Sequence, residues 1–388
     1  VPELSAGYNS YSKTWEVIVQ YQGDLAFLEE QGVRVTLLLF SYAILLVPES
    51  LMDYVTGLPQ ITYLEKPKPL FFADAFMRSI SCITPVQEGI SGLYGNGVLL
   101  ACIDSGVDYA HPDFCAPDGT SRIAILWDQT IPGNPPMGYA LGSVYTRQQI
   151  NEALASSTPE ERFALVPSRD VTGHGTAVLG IAAGNGRSSA DAAMRGVAPE
   201  ATLVVVKLGN PDPADLPRTS QLLQAVDFCV RYALLVERPL VINLSFGNNY
   251  GSHSGDSLLE TYLNAVSNLG QNVICIGAGN EGDTGRHYTG NLKSDRKSSG
   301  QTQTVRPTSD PAATSAVSAT ADRAVSVEFQ VGAYESSFSL QIWKVYGDEI
   351  SIELISPGGI RSGTLSPVLG TARLTLGPTE LLLFYGMP

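Results

Sequence analysis

Three short segments carry residue types that could do chemistry together. The first is Asp104, which closes the apolar run at 98–103 (VLLACI) and opens the turn Asp104-Ser105-Gly106-Val107-Asp108. A carboxylate at the carboxyl end of such a run sits where α/β sheets gather their ligands, although the same residue could simply cap the next turn. The second is His174, set between two glycines in Asp170-Val171-Thr172-Gly173-His174-Gly175-Thr176 and followed by small apolar residues with helical character. A core histidine keeps bulkier neighbours. Glycine flanks leave the ring exposed on one side and let backbone approach, which suits a general base. The third is Gly277-Ala278-Gly279-Asn280-Glu281-Gly282, directly after the apolar run at 272–276 (NVICI). As a string it matches the G-x-G-x-x-G dinucleotide fingerprint, but residues 283–290 lack the helical period that fingerprint requires, and no strand ending in an acid follows. The other use of Asn280 is as an amide donor to an oxyanion.

These segments need a frame to bring them together, and the surrounding pattern supplies one. Runs that are apolar on both faces recur at 98–103, 202–207, 240–244 and 272–276, with helical stretches at 175–183 and 220–236 between them. Strands without alternation, separated by helices, argue an α/β fold: a parallel sheet with helices on both faces. Ahead of it, residues 1–66 look like a separate small α+β unit. WEVIVQY at 15–21 alternates like a strand, 24–31 is a short helix closed by Gly32, and 33–47 supplies more strand. A second short helix at 48–54 and a last strand at 61–64 complete it, before a tail containing Pro67 and Pro69 that cannot join a central ladder.

Residues 291–323 are rich in Ser, Thr, Ala and Pro and read as a flexible loop or linker. Residues 324–388 return to strand alternation in VSVEFQV, FSLQIWKV, EISIELISP and LLLFYG, the start of an antiparallel β unit that stops in mid-pattern. The α/β unit would therefore span 67–290.

Composition removes several function classes. Lys and Arg total 24 against 38 Asp and Glu, a net charge of −14, whereas binding nucleic acid needs clustered positive charge. The same balance disfavours docking on an anionic membrane, and no stretch reaches the roughly 18 apolar residues of a membrane span. No signal peptide is visible ahead of the first strand. The five cysteines have no C-x-x-C spacing, and Cys82, Cys102 and Cys275 lie in or beside apolar runs, so buried free thiols are expected rather than a disulfide or zinc framework.

In their order, these segments resemble the subtilisin-like serine peptidases. Asp104 in its D-S-G turn matches that family's aspartate, and His174 in G-H-G-T matches its general base. Gly196-Val197-Ala198-Pro199 matches the segment leading into a sheet strand. Leu244-Ser245-Phe246-Gly247 looks like the edge strand that pairs with substrate backbone, and Gly277-Ala278-Gly279-Asn280 like the opposite strand bearing the oxyanion asparagine. Ala177 departs from the pattern where many members have a second histidine outside the triad. The whole plan is most similar to the Csp germination proteases of clostridial spores, with a retained prodomain at 1–66 and a jelly-roll-like β insertion, here partial, after 323.

The resemblance implies peptide-bond hydrolysis in a protein substrate, as in the proteolytic activation of a spore germination enzyme, with Asp104 orienting His174 and Asn280 stabilising the oxyanion. One member is missing, because no G-T-S-x-[AS]-x-P segment carries a nucleophile. Gly119-Thr120-Ser121 runs into a strand pattern, and Ser362-Gly363-Thr364-Leu365-Ser366-Pro367 has the wrong spacing. The serine is expected outside these 388 residues or, less simply, on a second polypeptide made by nicking. The alternative is a catalytically dead pseudoprotease kept for binding or signalling. The resemblance further implies that the prodomain tail, Ile61-Thr62-Tyr63-Leu64-Glu65-Lys66, lies in the substrate cleft, with self-processing near 64–70. It requires no cofactor and admits calcium, for which the acidic loop at 108–118 is a candidate without an identifiable ligand set, so no metal ligand is named. It places the protein in the spore or outside the cell.

Overall fold

The computed structural model describes residues 6–68, 71–72, 83–88, 92–189, 195–210, 216–280, 285–290, 303–305, 315–319, 325–331, 335–345, 347–348, 350–365 and 370–385. Its first sheet is built on β1 (Thr14–Tyr21), which pairs antiparallel with β3 (Tyr42–Pro48), while β2 (Arg34–Leu37) covers the far edge of β3. On the other edge of β1 lie β4 (Ile61–Glu65) and the two-residue strand Tyr8–Asn9. One face of this sheet closes over its own short helices: Val17, Val19, Ala43, Leu45 and Val47 pack with Leu25, Leu28 and Val55. The opposite face is apolar too. Ile18, Tyr42 and Ile44 join a core with Leu222, Phe228 and Tyr262 of the next unit. Burial on both faces explains why Val17-Ile18-Val19 and Ala43-Ile44-Leu45 run apolar without a break.

The central sheet has six strands: β5 (Leu99–Asp104), β6 (Ile123–Asp128), β7 (Ser143–Thr146), β8 (Thr202–Lys207), β9 (Leu240–Leu244) and β10 (Asn272–Ile276). Their spatial order is β10-β9-β5-β8-β6-β7. All neighbours are parallel except β7, an antiparallel strand on one edge, so the sheet is mixed rather than purely parallel. Helices cover both faces. Along β5, Leu99, Ala101 and Ile103 point to the side of α2 (Thr219–Leu235) and α3 (Leu258–Ser267). Leu100 and Cys102 point to the side of α1 (His174–Ala183), with Leu179 and Ala183. The two-residue alternation of a strand thus divides one apolar run between two cores.

β10 departs from the expectation of full burial: Val273 and Ile276 are exposed, and so is Cys275, whereas Cys102, Cys115 and Cys229 are buried. Among the described residues, β10 is an edge strand with β9 on one side. Cys82 lies outside the described residues.

Part of the expected linker forms strands, Gln303–Val305 and Ser315–Ala319, which join Val325–Val327 in an antiparallel sheet. The chain divides into two units, 1–338 and 339–388. The second contains two antiparallel hairpins, Ile352–Ile355 with Arg361–Leu365 and Gly370–Leu376 with Thr379–Tyr385. FSLQIWKV, expected as a strand, is not one: the described residues 338–345 have no regular structure, and Phe338, Ile342 and Trp343 are about half exposed. An apolar alternating run forms a strand only where a partner edge takes up its N–H and C=O groups.

Candidate active site

Strand parity places Asp104. Leu100, Cys102 and Asp104 share one face of β5, and α1 covers that face with His174 as its first residue. The helix can begin there because Gly173 takes a left-handed conformation (φ +76°) at the N-cap. Gly175 then passes so close to the Asp104 turn that a Cβ would sit 2.1 Å from the Gly106 carbonyl oxygen and 3.1 Å from Asp104 Oδ1. Both glycines flanking the histidine are thus required by geometry.

The result is a direct contact. His174 Nδ1 lies 2.6 Å from Asp104 Oδ1, which also accepts the Ser105 N–H at 2.7 Å. With Asp104 ionised, Nδ1 carries the proton and Nε2 is left as the basic nitrogen. Asp104 is 1 % exposed, and its second oxygen, Oδ2, is buried without a hydrogen-bond partner among the described residues. Burial therefore raises its pKa above the ordinary 3.8, against the lowering effect of the His174 and Ser105 hydrogen bonds. The histidine is less open than its glycine flanks suggest: its side chain is 8 % exposed, because Nδ1 is drawn in to a carboxylate buried at the sheet edge.

The other expected site residues leave from the same edge of the sheet. Ile103, Leu244 and Ile276 are aligned across β5, β9 and β10, so Asp104, Ser245 and Gly277 all follow the carboxyl ends of adjacent strands. The Gly277 N–H donates to the Leu244 carbonyl at 2.9 Å, which places the two substrate-strand candidates side by side. Gly277, Ala278, Gly279 and Asn280 are exposed just past the carboxyl end of β10, two strands over from β5. Ser245 Oγ accepts the Asn243 side-chain amide, and Phe246 is buried while Gly247 is exposed.

Phe246 and Gly247 form a short strand paired antiparallel with Phe72 and Phe71 of the same chain. This corrects the expectation for the prodomain tail. Ile61–Glu65 is β4, held by the open edge of β1 within the prodomain sheet, and Ile61 and Leu64 pack on the prodomain core. The strand laid on the candidate substrate edge comes later in the chain, at Phe71–Phe72. Sequence reasoning missed it because two consecutive phenylalanines give no alternation.

Two further residues of the site went unassigned, Ser105 and Asp170, whose side chains meet at 2.8 Å. Both stood within the quoted motifs, and only the fold brings them together. In the acidic loop at 108–118, the three carboxylates take hydrogen bonds from the protein. Asp108 Oδ1 accepts the Ala110 N–H, Asp113 Oδ1 that of Ser188, and Asp118 Oδ1 both N–H and hydroxyl of Thr120. Among the described residues, no group of three or more His, Cys, Asp or Glu is arranged to hold a metal ion.

Parallel strands whose carboxyl ends gather an aspartate, a histidine and two substrate-strand candidates are the arrangement of a subtilase. The chain belongs to that family: the Subtilase family model matches residues 95–378, and the Csp protease B prodomain model matches residues 1–68. The structure is similar to the CspB protease of Clostridium perfringens, with 28% identity and a TM-score of 0.59, covering 78% of this chain and 55% of that one. Among sequences, it is 26% identical over 231 residues to the thermostable alkaline protease of Halalkalibacterium halodurans and 29% identical over 205 residues to the major intracellular serine protease of Bacillus subtilis. These matches cover 59% and 53% of this chain but 48% and 49% of the relatives, so the chain spans about half the length of each.

Proposed function

We propose that this chain holds the prodomain and most of the catalytic sheet of a serine endopeptidase, whose nucleophilic serine lies outside these 388 residues. The observation that carries the reading is the 2.6 Å contact between Asp104 and His174 at the carboxyl end of a parallel strand of the central sheet. His174 Nε2 takes the proton of the serine hydroxyl as the oxygen attacks the scissile carbonyl, then returns it to the leaving amine. Asp104 holds the ring in the required tautomer and stabilises the imidazolium. Asn280 donates its amide to the tetrahedral oxyanion; in subtilisin itself, losing that donor lowers the rate about 10²–10³-fold. The substrate is a protein segment in extended form that adds to Phe246–Gly247 as Phe71–Phe72 do. No cofactor is needed for these steps.

Prodomain and sheet together follow the plan of the Csp proteases, and this supports activation of a spore germination enzyme as the biological role, in the spore or outside the cell. The exposed apolar side chains of β10, Val273 and Ile276, support a further element of the full protein covering that edge. A fluorophosphonate probe on the full-length protein tests the reading. Labelling of one serine, lost in His174→Ala, is expected. Absence of labelling in the folded wild type overturns it and leaves a non-catalytic binding role.

A further inference from the structure

One carboxylate beside the Asp104–His174 pair has no part in the proton transfer. Asp170, half-buried in the loop that delivers His174, accepts five hydrogen bonds. Its Oδ1 takes the Ser105 hydroxyl at 2.8 Å, the Gly173 N–H at 3.0 Å and the Thr172 hydroxyl at 3.2 Å. Its Oδ2 takes the Thr176 N–H at 2.8 Å and the Thr176 hydroxyl at 2.7 Å. Ser105 completes the link. Its backbone N–H donates to Asp104, and its hydroxyl oxygen accepts the Gly175 N–H at 2.9 Å. A single carboxylate thus grips both the backbone that carries Asp104 and the first turn of the helix that begins at His174.

A plain helix cap would explain the Gly173 and Thr176 contacts, but it has no need of Ser105, which belongs to a different strand end. We infer that Asp170, acting through the Ser105 hydroxyl, is a positioning residue that sets the Asp104–His174 contact; the peptidase reading above is what makes that contact catalytic. Burial by itself would raise Asp170, but the hydrogen bonds from Thr176, Ser105 and Gly173 together outweigh it, so the carboxyl stays below its ordinary 3.8 and remains ionised wherever the site works. Among the described residues, the charged groups beside the loop include Asp104, Asp108, Arg169, whose guanidinium lies over the Phe163 ring, and Lys207, whose ammonium is held by the Arg169 carbonyl at 2.7 Å.

The test reads the histidine directly. In the full-length protein, His174→Gln assigns the ring's signal in a ¹⁵N-histidine NMR spectrum. Two features are followed: the far-downfield Nδ1 proton of a short bond to carboxylate, and the titration of the ring. Because Asp170→Asn also removes a charge, the decisive variant is Ser105→Ala, which keeps Asp170 and deletes only the bridging hydroxyl. Ser105→Ala is expected to broaden or abolish the downfield proton and to lower the His174 pKa by about one unit, with Ser105→Thr retaining both features. Asp170→Asn should do at least as much as Ser105→Ala. If Ser105→Ala lowers the melting temperature yet leaves the proton and the titration as in wild type, the residue is structural only and the inference fails. Because no turnover is measured, a negative fluorophosphonate result would defeat the peptidase reading without touching this one.

Discussion

The Asp104–His174 pair couples function and stability with opposite signs. Burial raises the Asp104 pKa, so the folded chain holds that proton more tightly than the unfolded chain does. Its contribution is therefore fully present below pH 3.8 and is lost as pH rises through the raised value. Wild type should lose stability relative to Asp104→Asn as pH climbs from about 3 toward 7, which urea unfolding at several pH values measures. A difference that stays constant or runs the other way would mean that Asp104 is not held at a raised pKa. In the full-length enzyme, the same substitution should reduce kcat about 10⁴-fold, because the asparagine amide favours the wrong tautomer of the ring. The sign of the pH dependence follows from a carboxylate with one oxygen used twice and the other buried alone.

At the level of elements, the prodomain is held to the catalytic unit by a turn and a helix. Asp227, fully buried on α2, accepts the Tyr262 hydroxyl at 2.8 Å, the Tyr139 hydroxyl at 2.7 Å and Arg231 Nε at 2.6 Å. It also accepts the Leu39 N–H of the prodomain at 3.0 Å. The turn presenting that N–H has Phe40 and Ser41 in left-handed conformations (φ 59° and 61°), uncommon for residues with side chains. Around it, Tyr42 donates to or accepts from Thr261 at 2.9 Å, Glu16 accepts the Ser220 hydroxyl, and Glu65 accepts the Leu258 N–H at the start of α3. Leu39→Pro deletes the donor at a position where the preceding Leu38 is already extended, and should destabilise the chain by about 1–3 kcal/mol more than Leu39→Ala, which keeps the N–H. Equal losses in the two variants, read by chemical denaturation, would show that the side chain and not the hydrogen bond matters. None of this interface was legible beforehand. Asp227 sits in a helical run as one ordinary acidic residue, and the tyrosines that meet it lie far away in sequence.

For the whole molecule, the location of Phe71–Phe72 moves the expected processing site. β4 belongs to the prodomain sheet, and the segment lying along Phe246–Gly247 follows it. A cut made by this protein on itself should therefore fall C-terminal to Phe72 rather than at 64–70. Intact-mass analysis and N-terminal sequencing of the active full-length enzyme check this. A new N-terminus before Phe71, or an uncut chain in fully active protein, would sink the idea. The prodomain should stay attached after such a cut, because its sheet shares a continuous apolar core with α2 and α3.

The sequence by itself determined the type and order of the main elements. Short apolar runs without alternation, separated by helical stretches, argue strands of a covered sheet, and 202–207, 240–244 and 272–276 are strands over those same residues, although the last leaves Val273 and Ile276 exposed. It also singled out Asp104 and His174, because a carboxylate ending a strand and a histidine between glycines are unusual local choices. The tertiary structure alone decided what those choices touch. The meeting of Ser105 with Asp170, the prodomain N–H on Asp227 and the pairing of Phe71–Phe72 with Phe246–Gly247 join residues 65, 188 and 174 to 176 positions apart. Local pattern carries burial and period. It does not carry the partner, which is set when distant elements close on a shared core and each buried polar group must find whatever donor or acceptor the fold has brought within reach.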